Sequence, residues 1–468
     1  MVKIDIGKLK SLDVLKSRPK LTASDAASND YFGMSVAFSN NGLLAIGATS
    51  DDDNGQNASG SVYLFSGSGT NWTEIKKLTA SDAAASDYFG SSVAFSNNGL
   101  LAIGAYADDD NGQSGSGSVY LFSGSRTNWT EIKKLTASDA ASNDYFGMSV
   151  AFSNNGLLAI GATSDDDNGQ NASGSVYLFS GSGTNWTEIK KLTASDAAAS
   201  DYFGSSVAFS NNGLLAIGAY ADDDNGQNAS GSVYLFSGSG TNWTEIKKLT
   251  ASDAAAADYF GYSIAFSNNG ILAVGAFGDD DNGQNGSGSV YLYSGSGISW
   301  TQQAKLTASD ANTGDNFGIS VAFSNNGLLA VGANLDDDNG QSGSGSVYLY
   351  DLPVKKEKTK KTKKTKKKSL IQLSDSEVND YANETHYNGT TILGIVKTEN
   401  ANGDKINYLV LLDDDPNNQN NPYYNILKAK NDNTTSRTDK IAKLKYYQDI
   451  YKNSAEIYNY IESLLKNL

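Results

Sequence analysis

A period of 57 residues runs through most of this chain and limits what it can fold into. The dipeptide Phe-Gly recurs six times, beginning at Phe32, Phe89, Phe146, Phe203, Phe260 and Phe317. Residues 20–113 are identical to residues 134–227, so a block of two repeats has been duplicated. Repeats of this length bury their apolar surface against their neighbours, which predicts a stack or a ring of equal units.

The sequence of a complete repeat predicts four antiparallel strands. In the first repeat these are residues 32–39, 43–48, 61–66 and 72–80. Asn40-Asn41-Gly42 joins the first two strands, because Asn and Gly tolerate the positive φ of a tight hairpin. The second strand, LLAIGA, is apolar on both faces and is expected to be buried on both. Six such four-stranded units are typical of a β-propeller.

The ends of the repeat region predict how the ring closes. Repeat six stops after its third strand, at Tyr348-Leu349-Tyr350. The N-terminal segment 14–24 ends in the same KLTAS as the fourth strands of the other repeats. Placed in the last blade, this segment would leave no open edge. We therefore predict an all-β fold, a six-bladed β-propeller closed by an N-terminal strand, with a small C-terminal α+β domain after a Lys-rich linker.

We predict three segments: a propeller over residues 1–353, a linker over residues 354–369 and an α+β domain over residues 370–468. Residues 355–368 contain ten lysines, and such a run is normally an extended, solvated linker. An alternative is that it contacts the acidic propeller, nucleic acid or another anionic surface. In the last segment we expect a hairpin of strands 391–397 and 406–412, and a helix over 439–468.

Charge and composition exclude several functions. The net charge is −16, and residues 1–354 carry 16 Lys and Arg against 37 Asp and Glu. Such a body repels phosphates, so we expect no nucleic-acid binding by the propeller. With no cysteine and one histidine, His386, the chain lacks the parts of His-dependent catalytic sites and thiolate metal sites. No apolar run reaches about 18 residues, so no transmembrane segment is expected.

The elements FG, SVAFS, LLAIGA and GSVYLF resemble FG-GAP repeats, which form the propeller of integrin alpha chains and occur in many bacterial and viral proteins. The resemblance covers residues 14–352 and implies adhesion or surface display, outside the cell or on a virion. No classical signal peptide begins the chain, because the apolar region of one is missing. A cytoplasmic location therefore also stays open.

Two features depart from the integrin pattern. Only six repeats are present, where integrin propellers have seven blades. The family's calcium loop lies between the Phe-Gly strand and the Gly-Ala strand, and here Ser39-Asn40-Asn41-Gly42 takes that place without a carboxylate. Calcium binding is therefore not carried over from the resemblance.

An acidic loop instead follows the Gly-Ala strand, with the sequence DDDNGQ in each repeat. Two interpretations stand: a solvated loop whose Asp and Asn side chains cap turns, or a weak Ca²⁺ site, since calcium prefers clustered oxygens. The tentative metal ligands are the first and third aspartates: Asp51, Asp53, Asp108, Asp110, Asp165, Asp167, Asp222, Asp224, Asp279, Asp281, Asp336 and Asp338. No other cofactor is expected.

A second repeated carboxylate precedes each Phe-Gly. We expect it to cap the turn into the first strand and to have a structural role. These aspartates are Asp30, Asp87, Asp144, Asp201, Asp258 and Asp315.

We predict a binding, adhesion or display module rather than an enzyme, presenting its acidic loops to a protein, glycan or cation. Near-identical blades argue against catalysis, because an active site needs different residues in different blades. The alternatives are a structural component of a virion or particle, and a hydrolase with a carboxylate site in the channel.

Overall fold

A computed structural model describes residues 3–4, 20–352, 354–355, 370–373, 386–387, 390–399 and 405–411, apart from residues 54, 69, 70, 168, 225, 282, 325, 326 and 338–340. The chain divides into two compact units, residues 1–357 and 358–468. The boundary falls inside the Lys-rich segment.

The first unit is a six-bladed all-β propeller in which every repeat forms one antiparallel sheet. The first strands are β2 (Phe32–Phe38), β6 (Phe89–Phe95), β10 (Phe146–Phe152), β14 (Phe203–Phe209), β18 (Phe260–Phe266) and β22 (Phe317–Phe323). The second strands are β3 (Leu43–Ala48), β7 (Leu100–Ala105), β11 (Leu158–Ala162), β15 (Leu215–Ala219), β19 (Leu272–Ala276) and β23 (Leu328–Ala333).

The third and fourth strands complete the blades. The third strands are β4 (Ser61–Ser68), β8 (Ser118–Ser125), β12 (Ser175–Ser182), β16 (Ser232–Ser239), β20 (Ser289–Ser296) and β24 (Ser346–Asp351). The fourth strands are β5 (Asn71–Leu78), β9 (Asn128–Leu135), β13 (Asn185–Leu192), β17 (Asn242–Leu249) and β21 (Ser299–Leu306). The predicted fold of the repeat, with its four strands, is thereby confirmed for five blades.

The sixth blade consists of β22, β23 and β24 among the described residues. The predicted closing strand, residues 14–24, lies outside the described residues up to residue 19, and the described part, Lys20–Ser24, does not pair as a strand. At the start of the chain, β1 (Lys3–Ile4) pairs antiparallel with β25 (Val354–Lys355), which follows the last blade. Closure by the N-terminal strand stays a prediction.

The hydrophobic core lies between consecutive blades. Val62 and Leu64 of blade 1 pack with Phe89, Ile103 and Tyr120 of blade 2, all buried. Equivalent clusters lie at the next four interfaces. Because each blade shares its apolar side chains with its neighbours, the blades stabilise one another in sequence.

The small size of glycine is needed at these interfaces. A Cβ atom on Gly47 would lie 2.0 Å from the carbonyl oxygen of Gly90 in the next blade. The Phe89 N–H donates to the Ser59 carbonyl oxygen at 2.9 Å, so backbone atoms of the two blades meet directly. The glycines of Phe-Gly and Gly-Ala thus bring adjacent blades into close contact.

The second unit contains four described strands, β26 (Leu370–Leu373), β27 (His386–Tyr387), β28 (Thr390–Glu399) and β29 (Lys405–Leu411). They form one sheet in the order β26-β29-β28-β27, and β28 and β29 form the antiparallel pair that the sequence predicts. The predicted helix over 439–468 lies outside the described residues, so the α+β domain stays a prediction.

Candidate functional site

Antiparallel strands place the connections of every blade at two opposite ends. The acidic loops, which join the second strands to the third, share one end with the links between blades; we call this end the loop face. The SNNG turns and the hairpins between third and fourth strands lie at the other end, the turn face. The eleven tentative metal ligands that the structure describes, all but Asp338, belong to loops of the loop face.

On the loop face, each complete blade holds a lysine ammonium among three carboxylates. In blade 1, Lys77 Nζ lies 2.8 Å from carboxylate oxygens of Asp25, Asp51 and Asp53. The Tyr63 hydroxyl contacts Asp51 at 2.6 Å and Asp25 at 2.7 Å, and donates to one of them. We call these five residues, and their equivalents in other blades, the lysine cluster.

Local pairing explains how the cluster forms. Lys77 on β5 lies directly opposite Tyr63 on β4, and Nζ lies 5.2 Å from the centre of the tyrosine ring. Asp51 and Asp53 begin the loop after β3, and Asp25 comes from the segment that leads into blade 1. The other complete clusters, with ion-pair distances of 2.6–3.1 Å, centre on Lys134, Lys191, Lys248 and Lys305.

The electrostatics of the cluster keep its charges fixed. Burial by itself would lower the pKa of Lys77, but its hydrogen bonds to Asp25, Asp51 and Asp53 outweigh this and raise the pKa well above the ordinary value. Burial and the neighbouring carboxylates raise the pKa of Tyr63 far above its usual range. Burial raises the pKa of Asp25, but Lys77 and Tyr63 overcome this and lower it. The lysine therefore stays charged and the tyrosine neutral at neutral pH.

The middle aspartate of each triplet closes its own loop. Asp52 Oδ1 accepts a hydrogen bond of 2.7 Å from the Ala58 N–H, and Asp109 does the same with Gly115. Equivalent bonds form in the other four blades. The interpretation of these loops as turns capped by Asp side chains describes this geometry well.

In blades 1–5 a lysine lies where the tentative metal ligands would hold a calcium ion. Calcium prefers about six to eight oxygens, whereas the space between Asp51 and Asp53 holds the Lys77 ammonium. The same holds for the pairs beginning at Asp108, Asp165, Asp222 and Asp279. In the part of the chain that the structure describes, no group of three or more His, Cys, Asp or Glu could hold a metal. Calcium binding stays a prediction, and it would require the lysine to leave.

Blade 6 keeps part of the cluster. The Tyr348 hydroxyl contacts Asp310 at 2.7 Å and Asp336 at 2.8 Å, as in the other blades. Asp338 lies outside the described residues. Because repeat six has no fourth strand of its own, it supplies no lysine at this position.

The aspartates before Phe-Gly cap turns, as predicted. The Ala84 N–H donates to Asp87 Oδ2 at 2.6 Å, and equivalent bonds form in all six blades. Burial raises the pKa of Asp87 to about 6. The same cause raises the pKa of Asp144, Asp201 and Asp258 to about 6.

Paired aromatic rings lie beside these turns on blades 2, 4 and 5. Tyr88 stacks on Tyr106 with ring centres 5.3 Å apart, and Tyr202 stacks on Tyr220 at 5.3 Å. On blade 5, Tyr259 stacks on Phe277 at 5.0 Å. These rings are half-buried. The loop face thus combines carboxylates with aromatic surface.

On the turn face, asparagine side chains link neighbouring blades at the position where integrin propellers bind calcium. Asn40 Nδ2 donates to Asn97 Oδ1 at 2.8 Å, and Asn97 donates to Asn154 at 3.0 Å. The series continues through Asn211 to Asn268. Neutral amides therefore link neighbouring SNNG turns.

The FG-GAP repeat family matches the chain six times, and the matches together span more than half of it. The matched residues are 16–65, 72–122, 129–179, 186–236, 243–293 and 300–350. With these matches and the six-bladed propeller, the chain belongs to the FG-GAP repeat family. No curated protein matches the chain. Among the described residues, no helix is long and apolar enough to cross a membrane.

The lysines, tyrosines and linking aspartates of the clusters were not predicted from the sequence. The sequence does contain a sign of the cluster, because Lys77, Tyr63 and Asp25 recur every 57 residues, as the Asp triplet does. This recurrence does not indicate that residues 52 positions apart, such as Asp25 and Lys77, are in contact. Of the twelve tentative metal ligands, the ten in blades 1–5 contact a lysine of their own blade.

Proposed function

We propose that the propeller is a non-catalytic binding module whose loop face binds a cationic protein surface. The observation that carries this is the charge balance of the lysine cluster. One ammonium faces three carboxylates in each complete blade, and the exposed middle aspartate adds a fourth. Such a surface attracts basic partners and steers them toward it.

The repetition of the loop face favours binding over catalysis. An enzyme of this composition would need two carboxyl groups in different environments, so that one serves as the acid and the other as the base. Here the same residues recur with the same contacts from blade to blade. Equivalent sites around a ring suit a multivalent contact, in which weak interactions add to a strong one.

Calorimetry with the full-length chain tests this function. The probe is a poly-lysine peptide, and poly-glutamate is the negative control. We expect poly-lysine to bind more weakly as salt increases, because screening weakens exposed charge interactions. No heat of binding at low salt would contradict the proposal.

Two charge-matched variants locate the binding surface. Asp109→Asn, Asp166→Asn and Asp223→Asn together remove three charges from the loop face, while each amide oxygen still accepts the loop hydrogen bond. Glu131→Gln, Glu188→Gln and Glu245→Gln remove three charges from the fourth strands. Gln302 occupies that position naturally in blade 5 and still accepts from Ser252. The first variant should lose at least several-fold in affinity, and the second should change it little.

A glycan is the second candidate partner, and the aromatic pairs favour it. Partly exposed tyrosine rings beside carboxylates and amides offer both stacking surface and hydrogen-bonding groups for a sugar. The variant Tyr106→Thr with Tyr220→Thr removes two pairs, and blades 1 and 3 carry Thr49 and Thr163 at these positions. Glycan-array binding that this variant abolishes, and that the loop-face charge variant keeps, would favour the glycan over the cationic protein.

A further inference from the structure

A small cavity opens on the turn face between blades 4 and 5. Its walls are the SNNG turn of blade 4, the SNNG turn of blade 5 and the hairpin that joins β20 to β21. The cavity has a volume of about 120 Å³. Since a cavity of about 150 Å³ accommodates benzene, this one has room for about one six-membered ring.

The inner wall of the cavity is apolar and largely aromatic. Leu214 and Trp300 line it and belong to the hydrophobic cluster of this interface. Trp300 lies opposite Gly295, where a Cβ atom would lie 2.7 Å from Cγ of the indole. The indole Nε1 donates to the Gly297 carbonyl oxygen at 3.1 Å, and the half-buried Phe266 ring meets the indole edge-on at 6.2 Å between ring centres. The two rings therefore offer apolar surface to a ligand, since the indole N–H is already used.

Two asparagine amides form the polar part of the lining. Asn212 of blade 4 and Asn269 of blade 5 both line the cavity. The Oδ1 atom of each accepts a hydrogen bond from the serine hydroxyl two residues before it, Ser210 or Ser267. Among the described residues, neither Nδ2 group has a hydrogen-bond partner. Both amides can therefore donate to the oxygen atoms of a ligand.

The lining of the cavity selects a neutral ligand. Among the described residues, no charged side chain lines it. A charged ligand would lose hydration here without gaining a counter-charge, which is costly. A ligand that uses both walls has one apolar face for the aromatic rings and oxygen atoms at its edge for the amides. A sugar ring without charged substituents has this chemistry, with C–H groups on its faces and hydroxyl groups around its edge.

The same arrangement recurs at the three preceding interfaces. The ring centres are 6.2, 6.2 and 6.3 Å apart in the pairs Phe95–Trp129, Phe152–Trp186 and Phe209–Trp243. The second asparagine of each SNNG turn in blades 1–3 also accepts a hydrogen bond from its serine. The turn face therefore repeats these contacts four times, from the interface of blades 1 and 2 to that of blades 4 and 5.

We propose that the turn face binds a neutral glycan, with one sugar ring held between neighbouring SNNG turns at each of these four interfaces. The C–H face of the ring packs on the phenylalanine and tryptophan rings, and the asparagine Nδ2 groups donate to sugar oxygens. Four equivalent sites let weak single contacts add to a stronger one. The sites lie at the opposite end of the propeller from the acidic loops, so they do not depend on a cationic partner of the loop face.

Tryptophan emission reports on this face, because each of the five tryptophans is the second residue of a fourth strand, next to the turn-face hairpin. The full-length protein is screened on an array of neutral oligosaccharides of glucose, galactose, mannose and N-acetylglucosamine. Each glycan that binds is then titrated in solution. A saturable change in tryptophan emission supports the proposal. Absence of binding to the array, or binding that leaves the emission unchanged, overturns it.

Two matched variants locate the site. The test variant changes the second asparagine of four SNNG turns to aspartate, which keeps the acceptor for the serine, removes the Nδ2 donor and adds a charge: Asn98→Asp, Asn155→Asp, Asn212→Asp and Asn269→Asp. The control makes the same change at four exposed asparagines that begin fourth strands on the same face: Asn71→Asp, Asn128→Asp, Asn185→Asp and Asn242→Asp. Glycan affinity should fall about tenfold or more in the first variant and stay close to wild type in the second. Equal affinity of the two variants overturns the proposal.

Two further measurements on folded protein keep this site distinct from the loop face. Poly-lysine bound to the loop face should leave tryptophan emission unchanged, whatever its affinity. The variant Tyr106→Thr with Tyr220→Thr should keep full glycan binding and the full change in emission. Loss of glycan binding in that variant overturns the turn-face site and favours the aromatic pairs of the loop face. A polyproline peptide that changes the emission when no array glycan does would overturn the proposal in favour of a peptide ligand.

Discussion

Blades 5 and 6 have nearly the same sequence up to the third strand, yet their surroundings differ. In blade 5, Val290 is fully buried and Lys305 joins two carboxylates of its cluster at 2.8 Å. In blade 6, Val347 is 63% exposed. The contacts of blade 6 with the preceding blade match those of blade 5. Phe317 at the start of blade 6 is fully buried against blade 5.

This difference shows which part of a blade depends on which neighbour. The first strand packs against the blade before it, and the third strand packs against the blade after it. The lysine cluster depends on the fourth strand of its own blade and on the link that precedes the blade. Stability in such repeats is roughly a sum of units and nearest-neighbour interfaces.

The largest effect is expected from a glycine at the interface. In Gly104→Ala, the added Cβ would lie 2.0 Å from the Gly147 carbonyl oxygen of the next blade, so we expect a loss of about 3 kcal/mol or more in unfolding free energy. The matched variant is Gly332→Ala in blade 6. Denaturant titration of both variants should show similar losses if the ring is closed, and a much smaller loss for Gly332→Ala if it is open.

The next effect is expected from removing one cluster lysine. Lys248→Met leaves Asp196, Asp222 and Asp224 without their shared ammonium. Because Lys248 is about one-fifth exposed, we expect a loss of about 2–3 kcal/mol, less than for a fully buried pair. The adjacent Lys247→Met is the control, and chemical denaturation should show little change for it. Equal stability of both variants would mean that the cluster contributes little.

A stabilising effect is expected at the turn-capping aspartates. Burial raises the pKa of Asp201 to about 6, so the folded state favours the protonated form, and stability falls as the pH rises from about 4 through about 6. Asp201→Asn keeps the acceptor for the Ala198 N–H and removes the charge. We expect it to gain about 1–2 kcal/mol at pH near 7.5, by the linkage of pKa to stability.

The same variant has its own internal control. At a pH near 4.5 most of the wild-type Asp201 would be protonated in the folded state but not in the unfolded state, so the gain should fall to about a third of its value at pH 7.5. Thermal melts at both pH values measure the difference. A gain that is independent of pH would show that ionisation of Asp201 is not its cause.

The smallest effect is expected on the turn face. Asn154→Ala removes amide hydrogen bonds to Asn97 and Asn211, each about 3.0 Å long and exposed. Exposed neutral hydrogen bonds contribute little, so we expect a loss of no more than about 0.5–1 kcal/mol. A loss as large as that of Lys248→Met, measured by the same denaturation, would contradict the expectation that the loop face contributes more to stability than the turn face.

Much of the fold could be predicted from the sequence, because glycine, turn residues and apolar strands recur in phase. The lysine cluster could not, and the reason is a bulge. From the hairpin at Gly67 and Trp72, regular pairing would place Lys76 opposite Tyr63. A shift in pairing between Leu64 and Phe65 places Lys77 there instead. Sequence alone gives no sign of this one-residue shift, which reverses the face of every side chain beyond it.

The chemistry of the acidic loops could not be predicted from the sequence for a related reason. Three adjacent aspartates satisfy the pattern of a cation site, and the pattern does not distinguish a bound ion from a lysine of the same chain. The geometry separates Asp51 and Asp53, which face Lys77, from Asp52, which bonds to its own loop.

Hydrogen exchange of the full-length protein tests most directly the claim that all six blades are equivalent. If the predicted closing strand, residues 14–24, completes blade 6, the backbone amides of β24 should exchange within about tenfold of those of β20, because both strands then lie inside a four-stranded sheet. Exchange of the β24 amides at rates typical of an exposed edge, with β20 fully protected, would contradict the account.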